Sequence, residues 1–152
     1  MRYAIMAITA LALPGCAMVS AEMNDAKPAG TASPHTVGLD GGPWLVEDIN
    51  GGGILDNARA DVTFDNGNPA SPAVYGRSGC NRYRGGWQQD GATVKFGPLA
   101  GTMMACAPPL MDLERKFLAT LEAVTVVSID ATGAALLKAP DGRMIRIRKE
   151  AK

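Results

Sequence analysis

The stretch Tyr75–Phe96, YGRSGCNRYRGGWQQDGATVKF, decides the fold class. Its two halves around Gly79 read as short strands, with the glycine breaking between them. Asp90-Gly91 then marks a tight hairpin, because Asp-Gly accepts the positive φ angles of a primed turn, and Ala92–Phe96 returns as a further strand. A strand joined to the next by so short a turn must pair antiparallel.

The same punctuation recurs outward along the chain. Trp44–Ile49 reads as a strand closed by Gly51-Gly52-Gly53, and Ala60–Phe64 as another stopped by Asn66-Gly67. After the hairpin one helix is predicted. Pro108-Pro109 suit its first turn, and Leu110, Leu113, Phe117, Leu121 and Val124 recur at helical spacing on one face. Asp112 and Glu114 fall near its start, where the helix dipole favours negative charge. VTVVSI, AALLKA and RMIRIRK then form a terminal meander, separated by Thr132-Gly133 and Asp141-Gly142. In the last strand Ile145 and Ile147 point one way, and Met144, Arg146 and Arg148 the other. The sum is an α+β domain: a small curved antiparallel sheet or partial barrel packed against one main helix.

The N-terminus is of another kind. Arg2 precedes an apolar run that ends near Leu13, too short for a bilayer span and suited to a signal-peptide core. Leu13-Pro14-Gly15-Cys16 resembles a bacterial lipobox, although Pro14 departs from the usual small or aliphatic residue there. The resemblance implies lipidation of Cys16 and an anchor stable enough to hold the protein on a membrane. With Ala17 rather than Asp following, it also implies an outer-membrane lipoprotein facing the periplasm. The alternative is cleavage after Val19-Ser20-Ala21, leaving a soluble periplasmic protein. Residues 1–15 are thus expected to be the signal peptide, 16–42 a flexible tether rich in Ala, Gly, Ser, Thr and Pro, and 43–152 the folded domain.

Acidic and basic residues balance at fifteen each, so net charge points to no nucleic-acid partner. Chemistry is limited by the single histidine, His35, which lies in the expected tether. A Cys80 nucleophile then has no placed base, since the arginines around it cannot deprotonate a thiol near neutral pH. A Ser-His-Asp triad fails for the same reason. The three cysteines form no Cys-x-x-Cys pair and no zinc spacing, so neither a metal nor a cofactor is expected. Gly51–Gly53 lacks the lysine and helix of a phosphate-binding loop. An export signal implies an oxidising compartment, where Cys80 and Cys106 are expected to pair once Cys16 is lipidated. Loop-closure entropy puts that bridge at about 3–3.5 kcal/mol, and free thiols are the alternative. Arg82, Arg84, Arg146 and Arg148, if their strands lie close together, could meet anionic headgroups or an acidic partner; an ordinary solvated face is the plainer reading.

Gly79-Cys80-Asn81-x-Tyr83-x-Gly85, Thr102-Met103-Met104-Ala105-Cys106 and Met111-x-x-Glu114-x-x-Phe117-x-x-x-Leu121 together resemble the META domain of the HslJ-like family. The likeness runs from Trp44-Leu45 to Gly142-Arg143-Met144. It implies a small α+β domain of bacterial envelope proteins, associated in some members with heat shock, novobiocin tolerance or motility and virulence, and with no established catalytic activity. For the motif residues the expected roles are structural. Asn81 would hydrogen-bond backbone, Gly85 would admit a neighbour between Tyr83 and Trp87, and Glu114 would reach the sheet from the helix. The expected function is a non-enzymatic envelope lipoprotein acting through binding, in envelope maintenance or stress. The alternatives are a thiol-redox or other small enzyme using Cys80 and Cys106, and an inhibitor or pilot-type partner of another envelope protein.

Overall fold

A computed structural model describes residues 38–151. The expected signal peptide, Cys16 and nearly all of the expected tether, His35 included, lie outside the described residues. The strands are β1 (Gly41–Ile49), β2 (Asp61–Asp65), β3 (Ala73–Arg77), β4 (Arg82–Asp90), β5 (Thr93–Phe96), β6 (Ala100–Gly101), β7 (Val126–Ile129), β8 (Ala135–Lys138) and β9 (Met144–Lys149), with one helix, α1 (Pro108–Ala123), between β6 and β7.

All strands join one antiparallel sheet in the order β3-β2-β1-β9-β8-β7-β5-β4-β6, and β3 also pairs with β4. That last pairing curls the sheet into a ring with β6 hanging outside it. β4 and β9 stand on opposite sides of the ring, because four steps separate them in either direction (β4-β3-β2-β1-β9 and β4-β5-β7-β8-β9). The β5–β7 contact is the thinnest. It rests on Thr93 opposite Val126, with Val94 N–H donating to Thr125 O at 2.9 Å and Val127 N–H to Ala92 O at 2.8 Å.

The strands face inward as their period-two patterns require. Tyr83 and Trp87 of β4, Val94 and Phe96 of β5, and Ile145 and Ile147 of β9 are buried, while their neighbours in sequence face outward. Phe64 packs at 4.7 Å between ring centroids from Trp87 and 6.3 Å from Phe96, which ties β2 to β4 and β5. The helix begins at Pro108 and buries Leu113, Phe117, Thr120 and Leu121. Phe117 meets the Tyr83 ring edge-on at 5.5 Å, a favoured quadrupole arrangement.

Three expectations need correction. The folded domain starts before residue 43: Leu39 is fully buried and β1 begins at Gly41. A lone leucine among glycines carries no periodic signal, so its burial could not be read from pattern. No acidic residue occupies the first turn of α1, and the dipole role given to Asp112 and Glu114 falls away. Asp112 instead pairs with Arg115 on the exposed face, and Glu114 points into the sheet. The four arginines singled out above do not share a surface, since β4 and β9 lie across the ring from one another.

Candidate functional site

The motif residues converge where the N-terminal half of α1 meets the turn between β3 and β4. Gly79 has φ +107° and stands against Leu113 of the helix, where an added Cβ would lie 3.1 Å from Leu113 Cδ2. The left-handed conformation and the tight contact both call for glycine. The turn this permits brings Ser78 N–H to Asn81 O at 2.8 Å and swings the Asn81 backbone toward the helix.

Glu114 receives it. Its Oε2 accepts Asn81 N–H at 2.8 Å and Ser78 Oγ–H at 2.7 Å, and its Oε1 accepts Asn81 Nδ2–H at 3.0 Å. Partial burial pushes the carboxyl pKa up, but the bonds from Ser78 and Asn81 outweigh it and hold the group below its ordinary value. Asn81 Nδ2 also donates to Met104 O at 3.2 Å, while Asn81 Oδ1 accepts Thr102 Oγ1–H and Met104 N–H, each at 2.8 Å. The side chain of Asn81 is therefore fully bonded, as a buried amide should be. Cys80 and Cys106 form a disulfide across the same junction, with Cα atoms 6.1 Å apart. Helix, β3–β4 turn and the Thr102–Cys106 loop are thus fastened together by one carboxylate, one amide and one covalent bond.

Gly85 and Tyr83 extend the junction into the sheet. A Cβ on Gly85 would fall 2.6 Å from Leu99 Cδ2 and 2.9 Å from Pro98 O, so Pro98-Leu99 is the neighbour that the missing side chain admits. Tyr83 donates its hydroxyl to Asp61 O at 3.0 Å, and burial holds its ionisation well above the ordinary value. Trp44 lies apart, buried in β1 with Lys149 Nζ 5.5 Å from its ring centroid.

Sequence reasoning missed two participants. Ser78 is fully buried, donating its N–H to Asn81 O and its hydroxyl to Glu114, yet a serine before a glycine reads as an ordinary turn residue. Gly76 is the most crowded glycine among the described residues, since a Cβ there would fall 2.1 Å from Asp61 O; its constraint comes from β2 and leaves no local mark.

The outer face holds the arginines in two states. Arg146 Nε is 2.8 Å from Glu47 Oε2 and its Nη1 2.8 Å from Asp130 Oδ2, and Arg148 pairs with Glu47 as well. Arg82 and Arg84 have no carboxylate partner among the described residues; Arg84 lies over the Tyr75 ring with its Cζ 5.8 Å from the centroid. An open cleft of about 700 Å³ lies elsewhere, between residues 66–72 and the β4–β5 hairpin. Among the described residues no group of three or more His, Cys, Asp or Glu is placed to hold a metal ion, and no helix is long and apolar enough to cross a membrane.

A ring-like antiparallel sheet with one covering helix, clasped at a Gly-Cys-Asn turn, defines the class of domain. The META domain family matches residues 37–151, and the chain belongs to that family. No curated protein matches it. An NMR structure of a protein from Burkholderia xenovorans is similar, with 26% identity, a TM-score of 0.62, and coverage of 79% of this chain and 90% of that one. A second NMR structure, 21% identical with a TM-score of 0.53, covers 77% of this chain and 94% of its own and shares the fold.

Proposed function

We propose that the protein is a non-enzymatic lipoprotein of the bacterial envelope, anchored through Cys16, whose META domain serves envelope maintenance or stress tolerance by binding. The observation that carries this reading is the clasp. The residues with the most chemical potential in the motif are engaged in structure: both cysteines in a disulfide, and both Glu114 oxygens and every polar atom of the Asn81 side chain in hydrogen bonds. A disulfide in a small domain also suits the oxidising compartment to which a lipobox would deliver it. Function is then carried by the domain's surface, with the clasp holding that surface in shape.

Two measurements test the proposal. Intact mass of the mature protein from membranes should show a diacylglyceryl and an acyl group on Cys16, and a free N-terminus at Glu22 would sink the anchor. Thiol titration of the unreduced protein in denaturant should find Cys80 and Cys106 unreactive. Reactive thiols of depressed pKa there would favour the redox alternative instead.

A further inference from the structure

The described domain holds eight arginines, and they divide unevenly. Arg59, Arg115, Arg143, Arg146 and Arg148 all pair with carboxylates. Arg77, Arg82 and Arg84 have no such partner among the described residues, and they are neighbours on the outer face of the β3–β4 pair. Arg77 stands directly opposite Arg82, and Tyr75 directly opposite Arg84.

Like charges facing each other across a strand pair repel. On the far side of the ring the same problem, Arg146 beside Arg148, is relieved by Glu47 from the adjacent strand. On β3–β4 no carboxylate relieves it. Asp61, which shares a hollow with Arg77 and Arg82, is engaged by Arg59 Nε at 2.9 Å and by the backbone N–H of Arg77 at 3.1 Å. Asp61, Thr63, Tyr75, Gly76, Arg77 and Arg82 line a shallow hollow of about 280 Å³. Guanidinium groups fork onto phosphate oxygens with two parallel bonds, so the charge left over on this face fits phosphate.

A second observation lies at the rim. Thr102 N–H donates to Arg82 O at 2.9 Å, and the next residue, Met103, is 98% exposed. Its loop is fixed, since Met104 is held by Asn81 at both its N–H and its carbonyl. A long apolar side chain on a fastened loop beside unpaired arginines suits a headgroup layer with acyl chains beneath, where charge and apolar insertion add. We propose that the Arg77–Arg82–Arg84 face, with Met103 at its edge, docks the domain on an anionic phospholipid surface. This deepens the envelope reading and rests on it, by naming what the domain's surface binds.

The test uses the full-length chain carrying Cys16→Ser, so that acylation cannot anchor it. Phosphatidylcholine vesicles give the baseline set by the N-terminal residues, and phosphatidylglycerol–phosphatidylcholine vesicles report the added binding. The expected result is stronger binding to the anionic vesicles that weakens with salt. Each arginine near such a surface is worth about fivefold in affinity, so Arg77→Gln/Arg82→Gln should lose on the order of 25-fold there. Arg115→Gln, an exposed arginine on the helix, should bind as the parent does. Met103→Ser should weaken binding while leaving its salt dependence intact. Equal binding by the double variant and the parent would overturn the proposal, as would an equal loss in Arg115→Gln. Binding to poly-glutamate that the double variant loses, with no added binding to the anionic vesicles, would assign the face to an acidic polypeptide instead. None of these outcomes depends on the mass of the mature N-terminus, so failure here is distinct from failure of the anchor.

Discussion

Glu114 accepts the backbone N–H of Asn81 at 2.8 Å across 33 residues of chain, so a helix carboxylate caps a turn of the sheet. The bond matters because the donors it satisfies are buried: Asn81 is 2% exposed and Ser78 0%. Removing the acceptor strands them, and a buried unsatisfied group costs about 1–3 kcal/mol. Glu114→Ala should therefore lose about 3 kcal/mol in denaturant unfolding. A loss under about 0.5 kcal/mol, the range of neutral surface substitutions, would show that water replaces the carboxylate at no cost.

The same pair predicts a pH dependence. The Glu114 pKa is lowered on folding from its ordinary 4.5. Its contribution is therefore fully present above pH 4.5 and is lost as pH falls through the depressed folded value. Glu114→Gln should flatten the acid limb of the stability–pH curve without erasing it, because Glu47, Asp130 and Asp141 are also lowered. Asn81→Asp places a second carboxylate against the first, so it should be least stable near neutrality and recover on acidification.

Reducing the Cys80–Cys106 bridge, which closes a separation of 26 residues, should cost about 3.5 kcal/mol through regained loop entropy. Cys80→Ser/Cys106→Ser should unfold at the same denaturant concentration as the reduced parent. A double variant as stable as the oxidised protein would show that the hydrogen bonds alone hold the junction.

Gly85→Ala meets Leu99 and Pro98 at 2.6 and 2.9 Å, and Gly76→Ala meets Asp61 O at 2.1 Å. At Gly85 the closer contact is the end of a side chain that can turn away, whereas at Gly76 the closest contact is backbone and cannot be relieved by a rotamer change. We expect losses of about 1–3 kcal/mol at Gly85 and more at Gly76. Gly52→Ala, whose nearest contact is 3.5 Å away, is the matched control and should stay within about 0.5 kcal/mol of the parent.

Glu47 offers a contrast to Glu114. Its side chain is 34% exposed, and both its arginine partners are comparably open to solvent. Pairs of this kind contribute little and are screened by salt. Glu47→Ala should destabilise much less than Glu114→Ala, and the difference from the parent should shrink as salt is added. A loss as large as that at Glu114 would mean the three charges act as a structural network.

Local features were legible in the sequence. A hairpin does form at the Asp90-Gly91 signal, although Asp90 itself ends β4 opposite Thr93 and the turn is Gly91-Ala92; Leu113, Phe117 and Leu121 mark the buried helix face, and Ile145 and Ile147 the inward face of β9. What could not be read depends on partners distant in the chain. The two-residue strand β6 has no pattern of its own and exists because Tyr83 and Arg84 offer a free edge. The strand order is equally silent, because nothing local in β9 says that it lies between β1 and β8. That order is what separates Arg146 and Arg148 from Arg82 and Arg84. The cysteine-asparagine turn was legible as a structural signature, while the buried Ser78 that completes it was not.

The seat of β9 between β1 and β8 also decides what closes the ring. Trp44 pairs with Lys149, and Ile49 with Ile145, so β1 takes one of its two neighbours from about a hundred residues further along the chain. Without Met144–Lys149, β1 and β8 each lose a partner strand and keep a bare edge, the kind that recruits other chains. The ring therefore closes only when β9 is in its seat, and both of its neighbours depend on that one strand.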